Sequence, residues 1–287
     1  MTDEPANTVN YPPPVDQLLS LEPISGSGKN WLDYRQFGFT EEHVPDLIRM
    51  SVDPALHLAD SDSSEVWAPL HAWRALAQLG ATEAVRPLLE LLDDQSGDDW
   101  IHEDLPLVFT MIGSAILPEL IEFLHDAERD LLGRIAVASA LKDIALAETD
   151  RREEVVAALS QALSKWRENE KEVNAFLIGY LADLEAVEAA PLMEEAFLGE
   201  QVDISIFGDW EDIQIRLGLL SERKTPRPDY NPGLRHAMAA LLHKAEAAQA
   251  AKEALKAKKA HEKRKREAAN KARKTAKAAR QQNRHRK

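Results

Sequence analysis

An imidazole beside a carboxylate can hold a metal, and His102-Glu103 is the pairing from which one kind of two-iron centre is built. Such a centre needs several of these pairs on successive repeats, and between residues 40 and 200 the chain has one; the other, His261-Glu262, lies in the basic tail. His43, His57, His71 and His125 show no i, i+4 ligand spacing and no His-Glu-x-x-His occurs, so no metal ligand is assigned. The acidic stretch Asp93, Asp94, Asp98, Asp99, Trp100, His102, Glu103, Asp104 offers the oxygen ligands that calcium prefers. A calcium loop places glycine sixth and an acid twelfth, whereas Gly97 stands fourth from Asp94 and the twelfth ligand would fall on Leu105. Two readings stay open: a solvated loop whose carboxylates cap the next helix, or a contact for a basic partner anchored by Trp100. Gly26-Ser27-Gly28-Lys29 imitates a phosphate loop, but Pro23 and Asn30 occupy the positions of its first glycine and its hydroxyl residue, so it reads as linker. The absence of cysteine removes disulfides, thiolate metal sites and thiol nucleophiles. No nucleophile elbow, dinucleotide fingerprint or kinase signature is present. No catalytic residue, cofactor or small-molecule substrate is assigned.

The elements that would position these groups are helices. Between Thr40 and about Leu198 a small or capping residue is followed five positions later by proline, as Thr40 and Pro45, Thr82 and Pro87, Gly113 and Pro118, Ala186 and Pro191. Two positions past each proline stand Leu47, Leu89, Leu120 and Met193, and three further Met50, Leu92, Phe123 and Ala196, which shares one helical face. A unit lacking its proline is expected at Asp150, followed by Val155, Leu159 and Leu163. Another amphipathic run precedes each such helix, as in Val66 to Leu79, Leu131 to Leu146 and Val173 to Leu184. Only Val202 to Phe207 alternates with period two, which is too short for a sheet. A two-helix unit of about 36 residues cannot bury its apolar faces alone, so the units must stack.

The phrases Leu79-Gly80-Ala81-Thr82-Glu83-Ala84-Val85-Arg86-Pro87-Leu88-Leu89 and Ile112-Gly113-Ser114-Ala115-Ile116-Leu117-Pro118-Glu119-Leu120-Ile121 resemble the short HEAT-like repeats named after phycobilisome lyases. The resemblance covers roughly residues 40 to 200. It implies an all-α, right-handed α-solenoid of about four to five helix pairs, used mainly as a scaffold or adaptor. It also leaves open an enzyme of the bilin-lyase type or a metal oxygenase on the same repeats.

Within that frame Trp67, His71, Arg74 and Gln78 fall at i, i+4, i+7 and i+11. They are read either as a face that binds a partner peptide or an acidic group, or as a seam between units, with Trp packing and His and Arg capping carbonyls. Asp209 caps a helix carrying Glu211 and Asp212 in its first turn, with Trp210, Ile213 and Leu217 on one face. That helix seals the last unit or serves as a docking site. The candidate partner-binding residues are therefore Trp67, His71, Arg74, Asp98, Asp99, Trp100, Glu103, Asp209 and Trp210.

Charge divides the chain in two. Residues 244–287 carry 17 Lys and Arg against four Glu, a net of +13, while residues 1–243 carry −27, for a total of −14. Lys258, Lys259, Lys263, Arg264, Lys265, Arg266, Lys271, Arg273, Lys274, Lys277 and Arg280 are the candidate polyanion contacts. The same cations can instead meet an acidic protein or the chain's own body. The expected organisation is a mostly disordered lead over 1–29 with room for one short amphipathic turn around Leu18, Leu19, Leu21 and Ile24, the solenoid with its capping helix over 30–220, a Pro-rich linker over 221–233 and a basic helix or disordered tail over 234–287. The expected function is a non-catalytic scaffold in the cytoplasm, its acidic body holding a protein partner and its tail tethering to nucleic acid. A holdase for basic proteins is the further alternative. No apolar run reaches the roughly 20 residues of a membrane helix, and the acidic, Pro-rich N-terminus lacks signal-peptide character.

Overall fold

A proline has no N–H to lose in the first turn of a helix, where no intrahelical acceptor exists for it. The computed structural model describes residues 10–23, 31–94, 99–228 and 230. Its α-helices, in chain order, are α1 (Val44–Ser51), α2 (Pro54–His57), α3 (Ala68–Leu79), α4 (Val85–Asp94), α5 (Asp99–Ile112) and α6 (Leu117–His125). They continue as α7 (Leu131–Ala147), α8 (Arg152–Ser164), α9 (Lys171–Asp183), α10 (Ala190–Leu198), α11 (Ile204–Phe207) and α12 (Trp210–Arg216). No strand occurs among the described residues, so this part of the chain is all-α.

Each recurring proline lies in the first turn of its α-helix, and a single 3-10 turn leads into it: Glu41–His43 before α1, Thr82–Ala84 before α4, Ser114–Ile116 before α6, Val187–Ala189 before α10. The tighter turn uses the backbone groups that the proline leaves without partners. Thr149–Arg151 precedes α8 in the same way without a proline, and Val155, Leu159 and Leu163 of α8 are buried. Other ends follow from single residues. Gly80 closes α3 in the left-handed region (φ +65°), and the Asp130 carboxylate accepts the Leu132 and Gly133 N–H groups at the start of α7.

Two rows result. Helices α3, α5, α7 and α9 each touch the next, and so do α4, α6, α8, α10 and α12, while α6 packs on α7 and α8 on α9 between the rows. The core between them is continuous, from Trp73 and Leu76 through Phe109 and Leu141 to Leu181. Several polar side chains buried in it are paired. Trp73 Nε1 donates to the Ser51 carbonyl at 2.9 Å, and Arg134 donates to the Leu124 carbonyl and to Asn169 Oδ1. Asn169 in turn donates to Asn174, which reaches the Trp166 and Gln201 carbonyls.

Chain segments close both ends of the first row. Phe207 of α11 packs edge-on against Phe176 of α9, over Gly179, where a Cβ would lie 2.5 Å from its ring. At the other end the expected disorder of residues 1–29 is corrected for residues 10–23: Tyr11 is buried, and so are Val15 and Leu18 on one short 3-10 turn over Val15–Ser20. Pro12 to Pro14 set that turn, which points Val15 and Leu18 to one side. Residues 221–228, expected as linker, are fastened to α12 through Arg223 and Arg227. The chain divides between Pro228 and Asp229, and the helix-or-tail expectation for 234–287 lies outside the described residues. Among those described, no single helix is long and apolar enough to cross a membrane.

Candidate partner-binding surface

The face of α3 named from the sequence is a seam, which corrects its reading as a partner surface. His71 and Arg74 are 4% and 3% exposed. His71 Nε2 lies 3.2 Å from the Glu22 carbonyl, which only accepts, so Nε2 bears the proton and Nδ1 accepts from the Tyr34 hydroxyl at 2.6 Å. Arg74 grips Asp104 of α5 through Nε at 2.7 Å and Nη2 at 2.8 Å, and its guanidinium lies over the Trp31 ring. Gln78 donates to the Leu32 carbonyl and accepts from the Tyr34 N–H, both at 2.8 Å. Trp67 meets Trp100 edge-on at 5.4 Å. His71, Arg74 and Gln78 thus tie Glu22, Leu32 and Tyr34 to α3, and α3 to α5.

Burial, and then the Arg74 charge, lowers the His71 pKa from 6.5 to about 4, against the Glu22 carbonyl and Asp104, which raise it. The neutral ring is the native form. The stability this contributes is complete above pH 6.5 and is lost as pH falls toward 4, about 3 kcal/mol for a shift of this size. Urea midpoints should therefore fall further for the wild-type chain than for His71→Gln between pH 7 and pH 4.5. Parallel falls would mean that His71 does not titrate in this window.

The acidic stretch is divided among three tasks. Asp93 accepts from Arg129 at 2.6 Å and from the Asp130 N–H at 2.9 Å, joining α4 to the start of α7. Asp104 belongs to the seam. Glu103 is exposed and Trp100 half-buried, Asp99 opens α5, and Asp98 lies outside the described residues. No group of three His, Cys, Asp or Glu side chains placed to hold a metal occurs among the described residues.

At the far end Asp209 caps α12 in a reciprocal box with Asp212. Arg223 donates to both Asp209 oxygens at 2.7 and 2.6 Å, which holds that carboxyl below the usual range. Glu211 accepts the Lys224 and Thr225 N–H groups. Trp210 donates to Glu194 at 3.2 Å and packs against Phe197. Asp209 and Trp210 thus anchor the end of the second row, and the docking reading of this helix is corrected to a cap.

Glu103, one of the nominated partner-binding residues, lines an open groove of about 270 Å³ across α5, α7 and α9. Its walls are His102, Glu103, Pro106 and Leu107 from α5, Leu132, Ile135, Ser139 and Asp143 from α7, and Tyr180 from α9. Lys142 pairs with Asp143 at 2.8 Å and stands over the Tyr180 ring. Burial raises the Tyr180 pKa, so the phenol stays neutral. The sequence analysis missed this surface because α7 is apolar nearly all round. Val137, Leu141 and Ile144 face the core, whereas Leu132, Ile135, Ser139, Asp143 and Leu146 recur at i, i+3, i+7, i+11 and i+14 on another side. A second apolar stripe on one helix was the available signal. The candidate polyanion residues from Lys258 to Arg280 lie outside the described residues.

Compared with protein-family models, curated proteins and solved structures, the chain matches none.

Proposed function

We propose that this chain is a non-catalytic adaptor on a HEAT-like solenoid, with an acidic body that binds a protein partner and a basic tail that tethers it to nucleic acid. The observation that carries the reading is the open groove over α5, α7 and α9, on a body where the nominated His71 and Arg74 are buried in its own packing. The proline units, each a 3-10 turn leading into a helix, and the helix-to-helix contacts within two rows favour a solenoid. Seventeen cations against four glutamates in residues 244–287 supply sequence-independent attraction to phosphates. The place of action is the cytoplasm in this reading.

The tether is tested by fluorescence anisotropy of generic RNA and duplex DNA over a salt series. Three proteins are compared: the full chain, a chain ending at Pro228, and the full chain with Lys263, Arg264, Lys265 and Arg266 replaced by glutamine. The full chain should bind with log K falling steeply against log salt. The four-residue variant should lose about three to four units of that slope, and the shortened chain should not bind. Absence of binding by the full chain, or equal binding by the shortened one, overturns the tether.

A further inference from the structure

We infer that the groove over α5, α7 and α9 is a docking site for a short basic segment of a partner protein that carries leucine or aromatic side chains. This rests on the adaptor reading and names the chemistry of its partner. The floor is apolar and uncovered: Leu132 is 42% exposed, and Leu107 and Ile135 are half-buried beside it. Elsewhere along this row the chain provides short apolar segments of its own. Residues 31–37 bring Trp31, Tyr34 and Phe37 against α3, and α11 brings Phe207 against α9. Between them α5 and α7 keep an apolar surface without such a segment among the described residues.

Charge selects the sign of the guest. Glu103 stands exposed on the rim and meets no cation among the described residues, and Asp143 carries the second carboxylate, with Lys142 beside it. The acidic excess of residues 1–243 adds a field that draws cations and repels acidic segments. Size selects its kind. At about 270 Å³, shallow and spread over three helices, the groove has room for a few side chains of a peptide laid across it. A lysine or arginine of the guest would meet Glu103, and its large apolar side chains would cover Leu132 and Ile135.

The probe is a fluorescein-labelled peptide of leucine, tryptophan and lysine, with a counterpart in which glutamate replaces lysine. Both are titrated with the full chain at physiological ionic strength, where the screening length is about 8 Å. The lysine peptide should bind and the glutamate peptide should not. Leu132→Asp and Glu103→Lys should each weaken binding at least tenfold, whereas Leu198→Asp, at a position 78% exposed and outside the groove, should leave it unchanged. Leu132 is exposed, so a urea midpoint equal to wild type separates lost docking from lost folding. Binding unaffected by both groove variants would overturn the assignment while leaving a peptide-binding adaptor with its site elsewhere. No binding by the wild-type chain would overturn the assignment too, and the salt series with RNA would then judge the tether by itself. A wild-type chain that sediments as a dimer and a Leu132→Asp chain that sediments as a monomer would give the face to a second copy and overturn the peptide.

Discussion

Asp104→Ala is expected to destabilise the fold by about 3–5 kcal/mol, because it leaves the Arg74 guanidinium buried without its counter-charge. Both side chains of the pair are 4% exposed and the contact is bidentate, so water cannot take the place of the lost carboxylate. The pair also joins α3 to α5, and an unpaired charge at this seam acts on both helices. Replacing both partners by apolar residues, Arg74→Met with Asp104→Leu, should restore most of the loss, since desolvation offsets much of a buried pair's attraction. Urea unfolding of the three proteins measures this. A loss below about 1 kcal/mol for Asp104→Ala would mean that the seam opens to solvent in the native state.

The second large effect is expected at Tyr34, which is fully buried and holds His71 through its hydroxyl. Tyr34→Ala should destabilise by about 3–5 kcal/mol, through lost apolar contact and the cavity left behind. Tyr34→Phe keeps the ring and leaves His71 Nδ1 buried without a donor, for about 1–3 kcal/mol. Because residues 31–37 cover the flank of α3, the alanine variant should also be cut by protease within this segment long before the helices are. Wild-type protection in Tyr34→Ala would show that Gln78 and the neighbouring aromatic residues hold the segment without it.

These two sites mark where the sequence was readable. The spacing from Thr40 to Pro45 and its recurrences locates the helices, because a proline five residues past a capping position leaves few alternatives, whereas the 3-10 turns leading into them are legible only in the structure. Asp150 with Val155, Leu159 and Leu163 located α8 without a proline, since its apolar spacing carried the same information. The face of Trp67, His71, Arg74 and Gln78 is legible from helical spacing as a set, with two roles open. Its partners, Tyr34, Glu22 and Asp104, lie 30 to 49 residues away in the chain, and local periodicity does not report such distances. Residues 10–23 read as a mostly disordered lead with at most one short turn, because Pro12 to Pro14 and a few leucines resemble a linker in composition. Their burial depends on α3 and on Asp53, which accepts from the Tyr11 hydroxyl at 2.7 Å. The groove escapes the sequence for the opposite reason: Leu131 to Leu146 reads as one amphipathic run with a single apolar face, and its second exposed side is not told apart.

The central claim is that one chain holds a protein partner and a nucleic acid at the same time. RNA immobilised on a surface, the labelled lysine peptide in solution and the full chain added between them test it in one step. The account predicts that the surface captures peptide only when the full chain is present, and that neither the chain ending at Pro228 nor Leu132→Asp supports capture. If RNA instead displaces the peptide from the full chain, the two ligands share a site and the adaptor account is contradicted.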